Sequence, residues 1–314
     1  MSRGGKAPGK ERRGAPSSGG KVDGMHSDTI NGTSSAGARA AVGKATEADF
    51  TGTAPVWFYQ ATGDGTYESS IHTQGAWNSH EQHMAPVAGI LTRELERHQP
   101  RPDMRMARLN FDILGLIPAG QFRIETKTLR PGRTIELLQA EMIAEERVAV
   151  RATAWRLQRG DSTAVAGLED AAMPAVEDTA RWEGMSHWPG GYIESLEMRV
   201  VEGHRPGRGQ VWIRSPYDMV AGEPTTDMVR LMGLVDTANG IAFRVPPGAG
   251  SYMFPNVDLS IHLHREPVGE WLGLDTSVTF GTDGIGLTST VLNDVQGPFG
   301  RAAQILTVRE LPAS

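Results

Sequence analysis

The chain has no cysteine among its 314 residues. Disulfide bonds, thiolate nucleophiles and metal sites with cysteine ligands are therefore excluded. Long apolar runs are missing too, since none approaches the roughly 18 residues that a membrane-spanning helix needs, and no apolar signal-peptide core is found near the N-terminus. These absences predict a cytoplasmic protein without a membrane span, whose chemistry uses oxygen and nitrogen groups or a cofactor.

Positive charge is also scarce. There are 31 Lys and Arg against 37 Asp and Glu, which gives a formal net charge of -6. Nucleic-acid-binding proteins usually show a basic face and a high isoelectric point. We therefore expect no nucleic-acid partner. The length suits one large or two medium domains, because domains usually run about 100 to 200 residues.

Two stretches differ in composition from the rest of the chain. Residues 1–45 are rich in Gly, Ser, Ala, Lys and Arg and bury too little apolar surface to offset the entropy of ordering, which predicts a disordered tail. Residues 161–190 are dominated by Ala, Pro, Asp and Glu, and they predict a linker with some short structure. The folded domains are then expected at residues 50–160 and 191–312.

A pattern between these stretches occurs twice. Residues 108–114 alternate apolar and polar side chains, a turn with proline follows, and three more alternating runs lead to Trp155. Residues 258–264 begin the same sequence of features, which ends near Val308. Alternation with period two predicts half-buried strands, and an internal repeat is a stronger sign of architecture than local propensity. The chain is therefore predicted to contain two similar sheet units.

One helix is predicted ahead of each set of strands. The first opens near Pro86 and ends before Pro100, and the second runs from residues 224–226 to Asn239-Gly240. Their apolar stripes are Val87, Ile90, Leu91 and Leu95 in the first helix and Met228, Leu231, Met232 and Val235 in the second. Small residues such as Gly89 and Gly233 are expected to allow close packing against a sheet. One buried helix followed by antiparallel strands, present twice, predicts an α+β fold.

Four stretches resemble a known family. They are Gly75-Ala76-Trp77 with Gln82-His83, then residues 234–240, 256–265 and 297–304. From about Val56 to Leu311 the chain resembles the double-hotdog acyl-CoA thioesterases of the thioesterase II type, and more closely the actinobacterial-type thioesterase-like proteins of that superfamily. The resemblance implies two tandem antiparallel sheets, each wrapped around a central helix, and hydrolysis of acyl-CoA by a homo-oligomer.

Three residues carry the expected chemistry. Thioester hydrolysis needs a positioned water, a base for its proton and donors for the oxyanion. By the resemblance, Asp236 helps to activate the water, and partial burial would raise its pKa. Gln304 matches a glutamine that orients the same water, whereas Asn256 stands where thioesterase II proteins carry threonine. The alternative for Asp236 and Gln304 is a structural hydrogen-bond network.

The histidines raise the question of a metal site. His262 and His264 share a strand face, and His80 and His83 lie one helical turn apart, yet no third ligand can be placed beside either pair. We expect no metal and no cofactor. His83 is instead a candidate for the substrate entrance.

Two other functions remain open. A hotdog protein that binds acyl-CoA or fatty acid without turnover is supported by Asn256 in place of threonine, because a fold does not guarantee its usual activity. An enoyl-CoA hydratase would use an Asp and His pair, but the aspartate-rich motif expected on its helix is absent. Glu94 lies near the place in the first helix that corresponds to Asp236. Because the two repeats differ at the catalytic positions, one functional site per chain is expected.

Overall fold

The structure is a computed structural model that describes residues 56–186, 188–246 and 251–311. The tail predicted at residues 1–45 lies outside the described residues. The first half contains β1 (Trp57–Gly63), β2 (Thr66–Ser69), α1 (Met84–Arg97), β3 (Met104–Ile113), β4 (Gln121–Arg130), β5 (Ile135–Ala144) and β6 (Arg147–Gln158). A short 3-10 helix, Ile71–Thr73, precedes α1.

The second half repeats the pattern of two strands, a helix and four strands, with shorter helices and several additional short elements. It contains β7 (Ala180–Arg181), α2 (Gly191–Glu194), β8 (Glu197–Val200), β9 (Arg208–Arg214), β10 (Asp218–Val220), α3 (Asp227–Met232), α4 (Ala238–Ile241), β11 (Tyr252–Met253), β12 (Asp258–Leu263), β13 (Leu272–Phe280), β14 (Ile285–Asp294), β15 (Gly297–Thr307) and β16 (Arg309–Glu310). Further 3-10 helices are Thr163–Val165, Val176–Asp178 and Val235–Thr237. Three long strands follow β3 and three follow β12, which confirms the predicted repeat.

Among the described residues, fourteen strands form one sheet in the order β10-β1-β2-β4-β5-β6-β3-β12-β15-β14-β13-β9-β8-β7. The order is symmetrical about the junction of β3 with β12, where the strands pair antiparallel and Asn110 lies opposite Ser260. Strands β6, β5 and β4 of the first half thus correspond to β15, β14 and β13 of the second. The two units are joined edge to edge as the predicted double hotdog.

The junction strands turn one face towards the helices. Leu109 and Phe111 of β3 and Leu259 and Ile261 of β12 are fully buried and belong to the same apolar core as α1 and α3. Val257, immediately before β12, is exposed. The core therefore lies between the sheet and the helices.

The second predicted helix is interrupted, so the prediction of one continuous helix to residue 240 is wrong. Thr226 is its N-cap, with Oγ1 accepting from the Val229 N–H at 3.2 Å. The first segment ends at Gly233, and the chain continues through the 3-10 turn Val235–Thr237 into α4. Glycine favours such a break, because it is destabilising inside a helix.

Glycines also determine how the helices meet. A Cβ atom on Gly89 of α1 would lie 2.9 Å from Cα of Gly233 and would overlap Cε of Met219. The small residues therefore allow α1 and the end of α3 to approach each other, where the sequence pattern led us to expect an approach to the sheet.

Residues 161–190 hold two of the 3-10 helices and β7, and their Met185 and Trp188 belong to the main core. The division into a linker and domains at 50–160 and 191–312 stays a prediction. No helix in the described parts of the chain is long and apolar enough to cross a membrane.

We expect Gly89→Ala to lower the free energy of unfolding by about 1–3 kcal/mol, the usual cost of overpacking. Helix propensity alone gives the opposite sign, because alanine is favoured over glycine by about 1 kcal/mol inside a helix. Thermal unfolding measures the change. Gly160→Ala is the matched control, since a Cβ at this exposed site meets nothing within 4 Å. Equal effects in the two variants would contradict the helix crossing as the cause.

Candidate active site

Asp236 lies in the 3-10 turn that joins α3 to α4 and is 5% exposed. Its Oδ1 accepts hydrogen bonds from Asn256 Nδ2 at 2.8 Å and from Gln304 Nε2 at 2.9 Å. The structure thus brings the three residues predicted as the site together around one carboxylate oxygen.

The two amides come from different segments of the second half, one next to β15 and one within it. Asn256 precedes β12, forms a bridge with Leu306 of β15, and also donates to the Asp258 carbonyl at 3.0 Å. Gln304 lies within β15 at 1% exposure and makes a longer bond, 3.4 Å, to the backbone carbonyl of Asp236. Because Oδ1 accepts from two amides that each also donate to a backbone carbonyl, the orientation of the carboxylate is well determined.

His83 approaches the other carboxylate oxygen from the first half of the molecule. It is the N-cap of α1, and its Nδ1 lies 3.5 Å from Oδ2 of Asp236. The same Nδ1 accepts from the Ala85 N–H at 3.1 Å. The ring stacks on that of Tyr192 at 4.3 Å between centroids, and the Tyr192 hydroxyl bonds to Thr237 at 2.6 Å.

The sequence did not predict that His83 lies beside Asp236. It made His83 only a candidate for the substrate entrance. Its place immediately before the apolar stripe of the first helix was the one available signal of an N-cap. His80 is exposed, and His262 and His264 lie on β12 and just beyond it as exposed residues. Among the described residues, no three His, Asp or Glu side chains form a group that could hold a metal.

Burial sets the charge of the pair. It raises the pKa of Asp236 to about 6, against the lowering effect of the Asn256 and Gln304 hydrogen bonds. Burial also lowers the pKa of His83 to about 3. Burial thus favours the neutral form of each group. Above about pH 6 the pair is a carboxylate beside a neutral imidazole.

The pair opens into a cavity of about 450 Å³, whose wall includes His83, Asp236 and Asn256. Gln304 lies behind the carboxylate and is not part of this wall. Most of the lining is apolar: Trp77, Met84, Ile113, Ile117, Met185, Trp188, Ile193 and Phe254. An apolar cavity with a few convergent polar groups is typical of a small-molecule site.

Three aromatic rings form one side of the cavity. Trp77 packs edge to face on Trp188 at 5.0 Å and on Phe254 at 5.6 Å, and the latter two meet at 5.9 Å. Such pairs add about 0.5–1.5 kcal/mol beyond their burial. This wall is therefore a stable apolar surface beside the carboxylate.

Glu94, the predicted counterpart of Asp236 in α1, has different surroundings. Its carboxylate accepts from the Tyr67 hydroxyl at 2.8 Å and pairs with Arg93, which also contacts Glu223. It is not part of the cavity wall. In the first half of the chain, the region around Glu94 that corresponds to the Asp236 site is therefore an ion-pair cluster.

Family models match most of the chain. The model described as the acyl-CoA thioesterase N-terminal domain matches residues 73–157, and that of the C-terminal domain matches residues 169–308. The chain belongs to the acyl-CoA thioesterase family. Both halves of the double hotdog are thus accounted for by two domains of the same family. No curated protein matches the chain in sequence.

Several solved structures are similar to this thioesterase family member. A hotdog-fold protein of unknown function from Alicyclobacillus acidocaldarius is 14% identical with a TM-score of 0.63, covering 80% of this chain and 95% of that one. The acyl-CoA thioesterase II TesB2 of Mycobacterium marinum is 18% identical with a TM-score of 0.55, covering 81% and 96%. The TesB protein of Mycobacterium avium subsp. paratuberculosis is 17% identical with a TM-score of 0.56, covering 80% and 95%. At these identities the similarity shows the fold alone.

Asp236→Asn should stabilise the protein above about pH 6. The new amide oxygen can still accept both hydrogen bonds, while the buried charge is removed. The folded pKa of about 6 exceeds the ordinary value of 3.8, so the ionised form costs stability. This cost is absent below about pH 4 and reaches roughly 2–3 kcal/mol above pH 6, at 1.4 kcal/mol per pKa unit.

Thermal unfolding of both proteins at pH 4 and pH 8 checks this sign. The melting temperature of the variant should exceed that of the wild type by more at pH 8 than at pH 4. Asp64→Asn, in an exposed turn, is the control and should show no such dependence. A difference that stays constant with pH would count against the raised pKa of Asp236.

Proposed function

We propose that the chain hydrolyses acyl-CoA to free acid and CoA, with Asp236 as the base. The observation that carries this proposal is the asymmetric environment of its carboxylate. Oδ1 is held by Asn256 and Gln304, while Oδ2 faces His83 and an apolar cavity large enough for an acyl group. A base with a pKa near the working pH is effective, and a value of about 6 meets that condition.

The reaction follows from this arrangement. A water bonded to Oδ2 transfers its proton to Asp236 as its oxygen attacks the thioester carbonyl carbon. The carbonyl electron pair moves onto oxygen and gives a tetrahedral intermediate. When the intermediate collapses, the carbon–sulfur bond breaks and the thiolate of CoA takes the proton from Asp236. No cysteine nucleophile is needed, in keeping with its absence from the chain.

Residues around Asp236 are proposed to bind the water, position the carboxylate and contact the substrate. Asn256 lies in the cavity wall and is within reach of both the carboxylate and a bound water, whereas Gln304 positions the carboxylate from behind. The acyl chain would lie along Trp77, Trp188 and Phe254. Arg309 is the one cation in the described wall of the cavity and is a candidate contact for a CoA phosphate. A homo-oligomer stays a prediction.

The pairing of His83 with Asp236 favours one second candidate, an enoyl-CoA hydratase. Such an enzyme would use an Asp and His pair to add water across a carbon–carbon double bond, and these two groups face each other here. The two activities differ in product, because hydration consumes the enoyl group and leaves the thioester intact.

Thiol release from short, medium, long and branched acyl-CoAs tests the proposal. We expect turnover by the wild type and a loss of at least about 100-fold in kcat for Asp236→Asn, the usual contribution of a general base. Asp64→Asn is the control and should keep full activity. Since the chain lacks cysteine, it adds no thiol background.

Two results would overturn the thioesterase proposal. Binding of acyl-CoA without thiol release across the panel would indicate a binding protein. Loss of the enoyl absorbance of an enoyl-CoA without thiol release would indicate a hydratase.

The pH profile provides a separate prediction. Because Asp236 acts as an anion, kcat/KM should rise with pH through about 6 and then level off. Glu81 lines the same cavity, and burial raises its pKa to about 7. The Glu81→Gln variant distinguishes the two carboxyl groups. It should keep the rise near pH 6, and a flat profile would assign the base to Glu81 instead.

A further inference from the structure

The ring of His83 is held in a single orientation. Its backbone N–H donates to the Thr73 carbonyl at 2.7 Å, its Nδ1 caps α1 through Ala85, and Tyr192 covers one ring face. A nitrogen that accepts a hydrogen bond carries no proton, so the proton of the neutral ring lies on Nε2. The helix start thus selects the Nε2–H tautomer.

Nε2 is the one polar atom of this side chain that remains available. It has no hydrogen-bond partner among the described residues, yet it is not one of their buried unpaired polar atoms. His83 lines the cavity and its side chain is 16% exposed. The Nε2–H therefore reaches the space in which a ligand would lie.

The first turn of α1 has few other donors to offer there. Helix N-termini usually present free backbone N–H groups to a ligand. Here the Ala85 N–H is used by Nδ1 of His83, and Pro86, the third residue of α1, has no N–H at all. The imidazole replaces donors that this helix start lacks.

We propose that Nε2–H of His83 donates the hydrogen bond that polarises the thioester carbonyl oxygen, which makes His83 a catalytic residue. This role rests on the proposed hydrolysis. Nδ1 of the same ring lies 3.5 Å from Oδ2 of Asp236, and both residues line the cavity, so a thioester bonded to Nε2 would lie in the same cavity as the carboxylate that holds the water. As the water attacks, the oxygen gains negative charge and the bond from Nε2–H strengthens. A neutral donor suffices, since no proton leaves the ring.

Two amide substitutions separate this role from helix capping. His83→Asn keeps an oxygen that can accept from the Ala85 N–H, since asparagine is a favoured N-cap, but nothing then reaches the position of Nε2. His83→Gln extends an amide N–H towards that position and is a poorer cap. A catalytic donor and a structural cap therefore predict opposite rankings.

We expect His83→Asn to lower kcat for acyl-CoA hydrolysis by about 100-fold or more, the usual cost of one oxyanion donor, with KM within a few fold and an unchanged melting temperature. His83→Gln should recover at least about tenfold of the lost kcat. If His83→Asn keeps kcat within about threefold of the wild type, His83 is only a cap and the proposal fails.

A readout without turnover distinguishes this failure from failure of the proposed function. An acyl-CoA labelled with ¹³C at its carbonyl is bound to Asp236→Asn, and the carbonyl stretch is measured by infrared spectroscopy. Adding His83→Asn should shift the band to higher frequency, whereas adding His83→Gln should not. The absence of a shift overturns the proposal even if the wild type is an active thioesterase. A shift supports the hydrogen bond even if the wild type releases no thiol.

Discussion

The antiparallel pairing of β3 with β12 is the contact on which the site depends. Asp236, Asn256 and Gln304 belong to the second half of the chain, whereas His83 belongs to the first. Since side chains alternate along a strand, a slip of one residue in this register would turn the buried face of the shifted strand to solvent. The apolar core therefore enforces the register, and the register brings the two halves of the site together.

The helix crossing sets the finer distance between these halves. Gly89 follows His83 by six residues in α1, and Gly233 precedes Asp236 by three. Because no side chain separates the two glycines, the start of α1 comes close to the turn that holds Asp236, and Nδ1 of His83 lies 3.5 Å from Oδ2. A methyl group at either glycine would act on the site as well as on the core.

The sequence predicted elements and residues more fully than it predicted contacts. The repeat and the two helix starts were confirmed, because alternation and capping are local patterns. The break at Gly233 was missed, since the apolar stripe continues past it to Val235 and only the neighbouring helix makes a glycine necessary there. The sequence made His83 a candidate for the substrate entrance and missed its role in the site, again because a contact distant in sequence decides that role. Its neighbour Asp236 is distant in sequence, and no local pattern shows that they meet.

The neutrality of His83 links the start of one helix to the strength of a base in the other half. An imidazolium at 3.5 Å would stabilise the Asp236 anion, lower its pKa and leave it a poor proton acceptor. Burial disfavours that charge, the Ala85 N–H occupies Nδ1, and the positive end of the helix dipole disfavours it further. The same ring therefore offers a donor on Nε2 without weakening the carboxylate. Burial of Asp236 has two consequences with one cause. It raises the pKa of the carboxyl group, which makes the carboxylate a better base, and it makes the ionised form destabilise the fold.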